Sequence, residues 1–187
     1  MPEQVAVISA NDKTGVPELA TGLAELENWR IFSYGNTEVT IKGAGVQVHP
    51  IEELVGGTTL GSHPANREFK AQALAYLMFQ PKYNLGMDGL TPVDLAYVNP
   101  KKVAYSPKHG EFVDPDFGGT TMIMAAALGQ RILGTRPEDV SGILKRLEAG
   151  TLDENYIRLL SSNALRNLGI SFRDIANDEF THYQNAK

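Results

Sequence analysis

Ser9, Asp12, Lys13 and Thr14 lie within six residues of one another and bring two hydroxyls, a carboxylate and a full positive charge to one short stretch. Such a set suits a phosphate or carboxylate cradle if it stands at a helix start, where backbone N–H groups converge and the helix dipole favours an anion. The same residues also fit an ordinary capped helix with a solvated Lys13. A second polar stretch, Ser33-Tyr34-Gly35-Asn36-Thr37, has the same character, and Asp116-Phe117-Gly118-Gly119-Thr120-Thr121 is a third. In the third, close helix packing is the competing use of the two glycines. Asn99 is followed closely by Lys101 and Lys102, and His63 ends a glycine-rich segment. These supply candidate cations and a candidate general acid, although a solvated lysine pair and a loop-capping histidine explain them equally.

The elements needed to position these residues follow from the apolar pattern. Val5 to Ile8 is an unbroken β-branched-rich run, as expected of a strand buried on both faces. A helical period follows, with Val16, Leu19, Ala20, Leu23 and Leu26 on one side and Pro17 in the first turn. Trp29 to Phe32 predicts a second strand, Glu38 to Ala44 a helix, and Val46 to Val48 a third strand. Glu52 to Pro64 reads as a loop, Ala65 to Gln80 as a helix with Phe69, Ala73, Tyr76, Leu77 and Phe79 inward, and 81–92 as a bridge. Val93 to Val98 predicts a fourth strand, and Tyr105 to Pro115 an exposed loop. A helix over Met122 to Leu128, a strand over Gln130 to Leu133 and an amphipathic helix over Pro137 to Ala149 come next, with Gly150 as its stop. Thr151 to Leu168 predicts a closing helix, and Phe172 to Tyr183 a final short helix or arm. Successive strand–turn–helix units imply a parallel sheet, and ligands of such sheets sit outside the carboxyl ends of the strands. The first two polar turns fall there.

Composition bounds the function. The 187 residues are 42% hydrophobic and 21% charged, with a net charge of -5. That balance suits one globular domain over 1–187 and argues against a general nucleic-acid binder. No apolar stretch is long enough to span a bilayer, and the N-terminus lacks the pattern of a signal peptide, so a cytoplasmic protein is expected. The absence of cysteine removes disulfides and thiolate chemistry. The four histidines share no metal-ligand spacing, and neither a dinucleotide fingerprint nor a P-loop is present.

The order of the motifs is more specific than any one of them. SANDKTG, SYGNT, GGTTLGSHP, VDLAYVN and DFGGTTMIMAAA follow one another along the chain. This series resembles the IMP cyclohydrolase domain of the bifunctional purine-synthesis enzyme that also carries an AICAR transformylase, a domain similar in fold to methylglyoxal synthase. The family pattern is roughly S-x-S-D-K-T-G, S-T-G-G-T, G-G-R-V-K-T-L-H-P, N-L-Y-P-F and D-I-G-G-x-x-x-x-R-A-A-A-K-N. The resemblance runs from Val5 to about Tyr183, and no segment matches a transformylase.

It implies an α/β, three-layer methylglyoxal synthase-like domain with additional C-terminal helices, closing the purine ring of formyl-AICAR to give IMP and water without a cofactor. Ser9, Asp12, Lys13, Thr14, Ser33, Gly35 and Thr37 match the phosphate-holding positions, and Asn36 keeps polar character where the pattern has glycine. Asn11 and Tyr34 depart from serine and threonine. His63, Asn99, Asp116, Gly118 and Gly119 match as well. Asp116, Asn99, His63 and Lys101 are then the expected catalytic group, with the N–H groups of Gly118 and Gly119 beside the nucleotide. The reacting end departs from the pattern. Arginine, lysine and threonine positions hold Thr58, Leu60 and Gly61, the tyrosine position holds Lys101, and arginine, lysine and asparagine positions hold Met124, Leu128 and Gly129. The implied partners are a ribonucleotide (formyl-AICAR, AICAR or IMP), a second copy in a homodimer and a separate transformylase. A binding domain that has lost catalysis, or an enzyme for a related imidazole or purine ribonucleotide, fits the same residues. Methylglyoxal synthase activity itself is not expected, because no second aspartate stands in a glycine-rich loop after His49.

Overall fold

The computed structural model describes residues 3–54, 73–79, 91–101, 104–106, 111–113 and 116–185. Strand β1 (Gln4–Ala10) leads into helix α1 (Val16–Glu25), and β2 (Trp29–Ser33) into α2 (Gly35–Gly43). After the two-residue strand β3 (His49–Pro50) come helix α3, described over 73–79, and β4 (Leu95–Asn99). The hairpin strands β5 (Ala104–Ser106) and β6 (Glu111–Val113), helix α4 (Phe117–Leu128), β7 (Ile132–Gly134), α5 (Pro137–Glu148) and α6 (Glu154–Asn185) complete the described chain. The main sheet has the order β3-β2-β1-β4-β7, and every pairing in it is parallel.

Alternation along the strands divides the core between the two faces of the sheet. Val5, Val7, Phe32, Ala96, Val98 and Leu133 face α3, α4 and α6. Ala6, Ile8, Ile31, Leu95, Tyr97 and Ile132 face α1, α2 and α5. Both faces are covered, which is why β1 and β4 are apolar throughout instead of alternating with polar residues. The expected α/β three-layer architecture is therefore present.

Several boundaries differ from the sequence expectation, and spent hydrogen bonds explain two of them. Val46 to Val48 is not the third strand. The N–H of Val46 bonds back to the carbonyl of Ile41 just past the end of α2 at Gly43, so pairing with β2 begins only at His49. Likewise β7 starts at Ile132, because the N–H groups of Gln130 and Arg131 close α4 on Ala127 and Ala126. Part of Tyr105 to Pro115, expected as a loop, forms the antiparallel pair β5–β6. In α3 the buried residues are Leu74, Ala75, Leu77 and Met78, whereas Ala73, Tyr76 and Phe79 are half-buried, so the inward face is rotated from the one expected. The two closing segments are one helix. Asp153 accepts the N–H of Tyr156 at 2.8 Å and starts α6; a single glycine, Gly169, does not stop it. The glycine-rich segment with Thr58, Leu60, Gly61 and His63, the bridge over 81–90, and Lys102 lie outside the described residues.

Two positions give tests of this packing. A Cβ at Gly129 would stand 2.1 Å from the carbonyl oxygen of Met78, a backbone atom that cannot step aside cheaply, whereas one at Gly169 meets nothing within 4 Å. Gly129→Ala is expected to destabilise by about 1–3 kcal/mol and Gly169→Ala to stabilise by about 0.5–1 kcal/mol, read as opposite shifts of the urea midpoint. Tyr97 is fully buried and its hydroxyl has no hydrogen-bond partner. Burial first, then the carboxylates of Asp139, Asp12 and Glu138, push that hydroxyl up to about 12. Below pH 10 the group is protonated folded or unfolded; as pH rises from 10 towards 12 only the unfolded chain ionises, and stability falls. Tyr97→Phe is expected to be neutral or stabilising by about 1 kcal/mol at pH 7. It should also remove an alkaline loss of about 1 kcal/mol between pH 8 and pH 11, as measured by urea unfolding at those two pH values.

Candidate functional site

The carboxyl ends of β1, β2 and β4 open into one cavity of about 300 Å³. Strand β1 supplies Ser9 and Ala10 and continues into a loop carrying Asn11 and Lys13. From the other side come Tyr34 and the first turn of α2, Gly35, Asn36 and Thr37. Asn99 and Lys101, after β4, and Asp116, at the start of α4, close the third side. Eight residues singled out from the sequence thus line one space: Ser9, Lys13, Gly35, Asn36, Thr37, Asn99, Lys101 and Asp116.

The walls are held by specific bonds. Thr37 Oγ1 accepts the N–H of Ala10 at 3.2 Å and lies 3.1 Å from the Ala10 carbonyl, to which it can donate. This exchange ties the end of β1 to α2. On the other flank Asn99 Oδ1 accepts the N–H of Asp12 at 3.1 Å, the Asn99 carbonyl accepts the N–H of Asn11 at 2.7 Å, and Asn99 Nδ2 donates to the Thr135 carbonyl at 3.0 Å. The Ser33 hydroxyl, buried, donates to Ile8 O at 2.8 Å and fastens β2 to β1 beneath the cavity floor. Gly35 enters α2 with φ of +59°, a left-handed conformation that glycine adopts without steric cost. The start of α2 carries no side-chain cap, so its first-turn N–H groups remain available to an anion.

Charge is arranged around the same loop. The ammonium of Lys13 folds back onto the carbonyl of Ala10 and lies 3.4 Å from that of Asn11. Partial burial lowers its pKa, and the neighbouring Asp12 carboxylate opposes that shift. Asp12 does not line the cavity. Its carboxylate accepts the N–H of Thr14 at 2.9 Å, and that backbone bond, followed by the Thr14 side chain, holds its pKa below the ordinary range. Asp116 caps α4: its two oxygens accept the N–H of Gly119 at 2.8 Å and of Lys101 at 3.2 Å.

Five expected site residues stand behind the lining. Asp12 and Thr14 shape the loop, Ser33 lies under the floor, and Gly118 and Gly119 are buried in the first turn of α4. The N–H of Gly119 is directed at Asp116 rather than at the cavity. His63 falls outside the described residues. Sequence reasoning registered Tyr34 only as a departure from the pattern's threonine; it lines the cavity, and its hydroxyl is 3.1 Å from Ser9 Oγ. Its place between Ser33 and Gly35 was the available signal. Among the described residues no group of three metal-ligating side chains is assembled, and no helix is long and apolar enough to cross a membrane.

Comparison with known proteins finds relatives along most of the chain. No family model matches the chain. It is 30% identical over 182 residues to the bifunctional purine biosynthesis protein PurH of Mycobacterium leprae, covering 89% of this chain and 34% of that protein. With the PurH of Cereibacter sphaeroides it shares 30% identity over 164 residues, covering 80% of this chain and 30% of the relative. The chain therefore spans about one third of the length of the curated relatives it matches. Among solved structures, that of ForH superimposes with a TM-score of 0.74 at 23% identity, covering 93% of this chain and 97% of that one, a likeness of fold. Along nearly its whole length the chain is a relative of the PurH purine-biosynthesis proteins, built on the methylglyoxal synthase-like fold.

Proposed function

We propose that the cavity holds a purine-pathway ribonucleotide by its 5′-phosphate and that the chain closes formyl-AICAR to IMP. The observation that supports this most is the convergence of Ser9, Lys13, Gly35, Thr37, Asn99 and Asp116, residues matching the cyclohydrolase pattern, on one cavity at the carboxyl edge of the sheet. The phosphate is assigned to the uncapped start of α2, with the Ser9 hydroxyl and Lys13 beside it. Lys13 then exchanges its carbonyl contacts for the phosphate.

Ring closure forms a bond from the carboxamide nitrogen to the formyl carbon. The formyl oxygen gains negative charge, takes up the protons released by the carboxamide and formamide nitrogens, and leaves as water. Asp116, fixed by two backbone N–H groups, retains lone pairs to orient or deprotonate the attacking nitrogen. Lys101 is assigned to the oxyanion, and His63 to proton delivery. Because both reacting groups belong to one molecule, holding them in register supplies much of the acceleration. The assignment includes a transformylase elsewhere to supply the substrate, and a cytoplasmic homodimer.

A second reading has its own observation. Met124 and Leu128 stand where the family pattern has arginine and lysine, and with Phe117 they leave α4 with exposures of 46%, 56% and 65%. A nucleotide-binding domain without cyclisation, or an enzyme for a related ribonucleotide, accommodates that loss.

Incubation of the protein with formyl-AICAR, following IMP, separates the two. Lys13→Ala is expected to weaken IMP binding about tenfold or more. Asp116→Asn, which keeps an acceptor for Gly119, should lower turnover by about 10²–10⁴. Saturable IMP or AICAR binding that Lys13→Ala abolishes, with no turnover in the parent protein, establishes the second reading. A folded protein that binds neither nucleotide ends both.

A further inference from the structure

A second cavity, of about 370 Å³, opens on the far side of Asn99 and Pro100 from the cradle. It lies at the carboxyl ends of β4 and β7, between α4 and α6. Pro100, Ile123, Ala164 and Leu168 give it an apolar wall, and Arg136 and Asn167 a polar one. We propose that this cavity binds a small organic carboxylate with an apolar body, and that its occupancy is coupled to the phosphate cradle through Asn99.

The carboxylate follows from Arg136. Asp139 Oδ1 takes one guanidinium nitrogen at 3.1 Å, and a guanidinium has five N–H donors in a planar fork. The other Asp139 oxygen is occupied by the N–H groups of Thr135 at 3.0 Å and Arg136 at 3.1 Å. The fork therefore retains donors in the geometry that matches a carboxylate. A phosphate dianion fits poorly, since one cation already shared with Asp139 cannot balance it, and the N–H groups of Thr135 and Arg136 just before α5 are spent on that same aspartate. The apolar wall selects a ligand with a hydrophobic body over a bare anion.

Coupling follows from the amide of Asn99. Its Nδ2 holds the Thr135 carbonyl, Thr135 itself lining the second cavity, while its Oδ1 and carbonyl hold the N–H groups of Asp12 and Asn11 beside the first. A ligand that seats against Asn99 or displaces Thr135 changes the position of the loop carrying Lys13. By linkage the effect is reciprocal: each ligand must alter the other's affinity by the same factor.

Titration calorimetry with benzoate, benzamide and inorganic phosphate tests this. Benzoate is expected to bind saturably and benzamide about tenfold more weakly or worse, having lost the charge-assisted bonds. Arg136→Gln should weaken benzoate about tenfold. Ser171→Glu, at an exposed lining position on α6, should weaken benzoate several-fold by repulsion, and it decides the matter alone if the Arg136 variant fails to fold. Saturating benzoate should shift phosphate affinity, and phosphate should shift benzoate affinity equally. The proposal is overturned if the folded protein shows no saturable benzoate binding at millimolar concentration, or if benzamide binds as well. Benzoate binding that Lys13→Ala removes and Ser171→Glu leaves intact places it in the cradle and also overturns the proposal. So does phosphate binding that saturating benzoate leaves unchanged.

Discussion

The carboxyl end of β1 is the constraint on which the site depends. β1 is the central strand, paired with β2 and β4, and its exit must be fixed on both flanks before a loop leaving it can present donors to a ligand. Thr37 fixes one flank by trading hydrogen bonds with both backbone groups of Ala10, and Asn99 fixes the other by holding Asn11 and Asp12. Removing Thr37 Oγ1 strands a buried N–H. Removing the Asn99 amide frees the loop at Asp12 and unties it from Thr135. Nearby main-chain groups that water could otherwise reach are thereby committed, so the cavity takes its shape from bonds rather than from apolar packing.

Much of this frame was legible in the sequence. The apolar run at Val5 to Ile8 and the period Val16, Leu19, Ala20, Leu23 pointed to strand and helix, and two polar turns pointed to the edge that would face a ligand. The boundaries were less legible because helix ends consume neighbouring N–H groups. Val46 looks like a strand residue by type, yet its N–H completes α2. Arg131 also looks like a strand residue, yet its N–H completes α4, while its Nε reaches the Met78 carbonyl at 2.6 Å from a largely buried position. No local pattern announces a bond across 53 residues. The site was partly legible for a related reason. Residue type places Ser9, Lys13 and Thr37 near an anion, but whether an N–H such as that of Gly119 faces a ligand or an aspartate depends on a capping geometry that type alone does not determine.

Burial divides the departures from the cyclohydrolase pattern into two groups. Tyr34 lies within the cavity and is bonded to Ser9, so exchanging threonine for tyrosine remakes the wall without emptying it. Met124 and Leu128 are exposed on α4, where an apolar side chain gains nothing from the core. With Phe117 they form a stripe at seven- and four-residue spacings, one face of a helix. The two changes act on different parts of the molecule: one alters the space a ligand enters, and the other removes charge from a neighbouring surface.

Asp116 illustrates how far matching residues can carry a functional assignment. Its carboxylate caps α4 through Gly119 and anchors the backbone of Lys101. Both tasks are structural, and each accounts for an acidic residue at a helix start whether or not a reaction takes place beside it. The aspartate's presence therefore supports the architecture of the cavity more strongly than it supports catalysis. Lys13 differs. Its ammonium rests on the backbone carbonyls of Ala10 and Asn11, and burial disfavours its charged form while the Asp12 carboxylate favours it. The proposed phosphate would add a second counter-charge beside that of Asp12, so the proposal of an anionic ligand rests more on Lys13 than on Asp116.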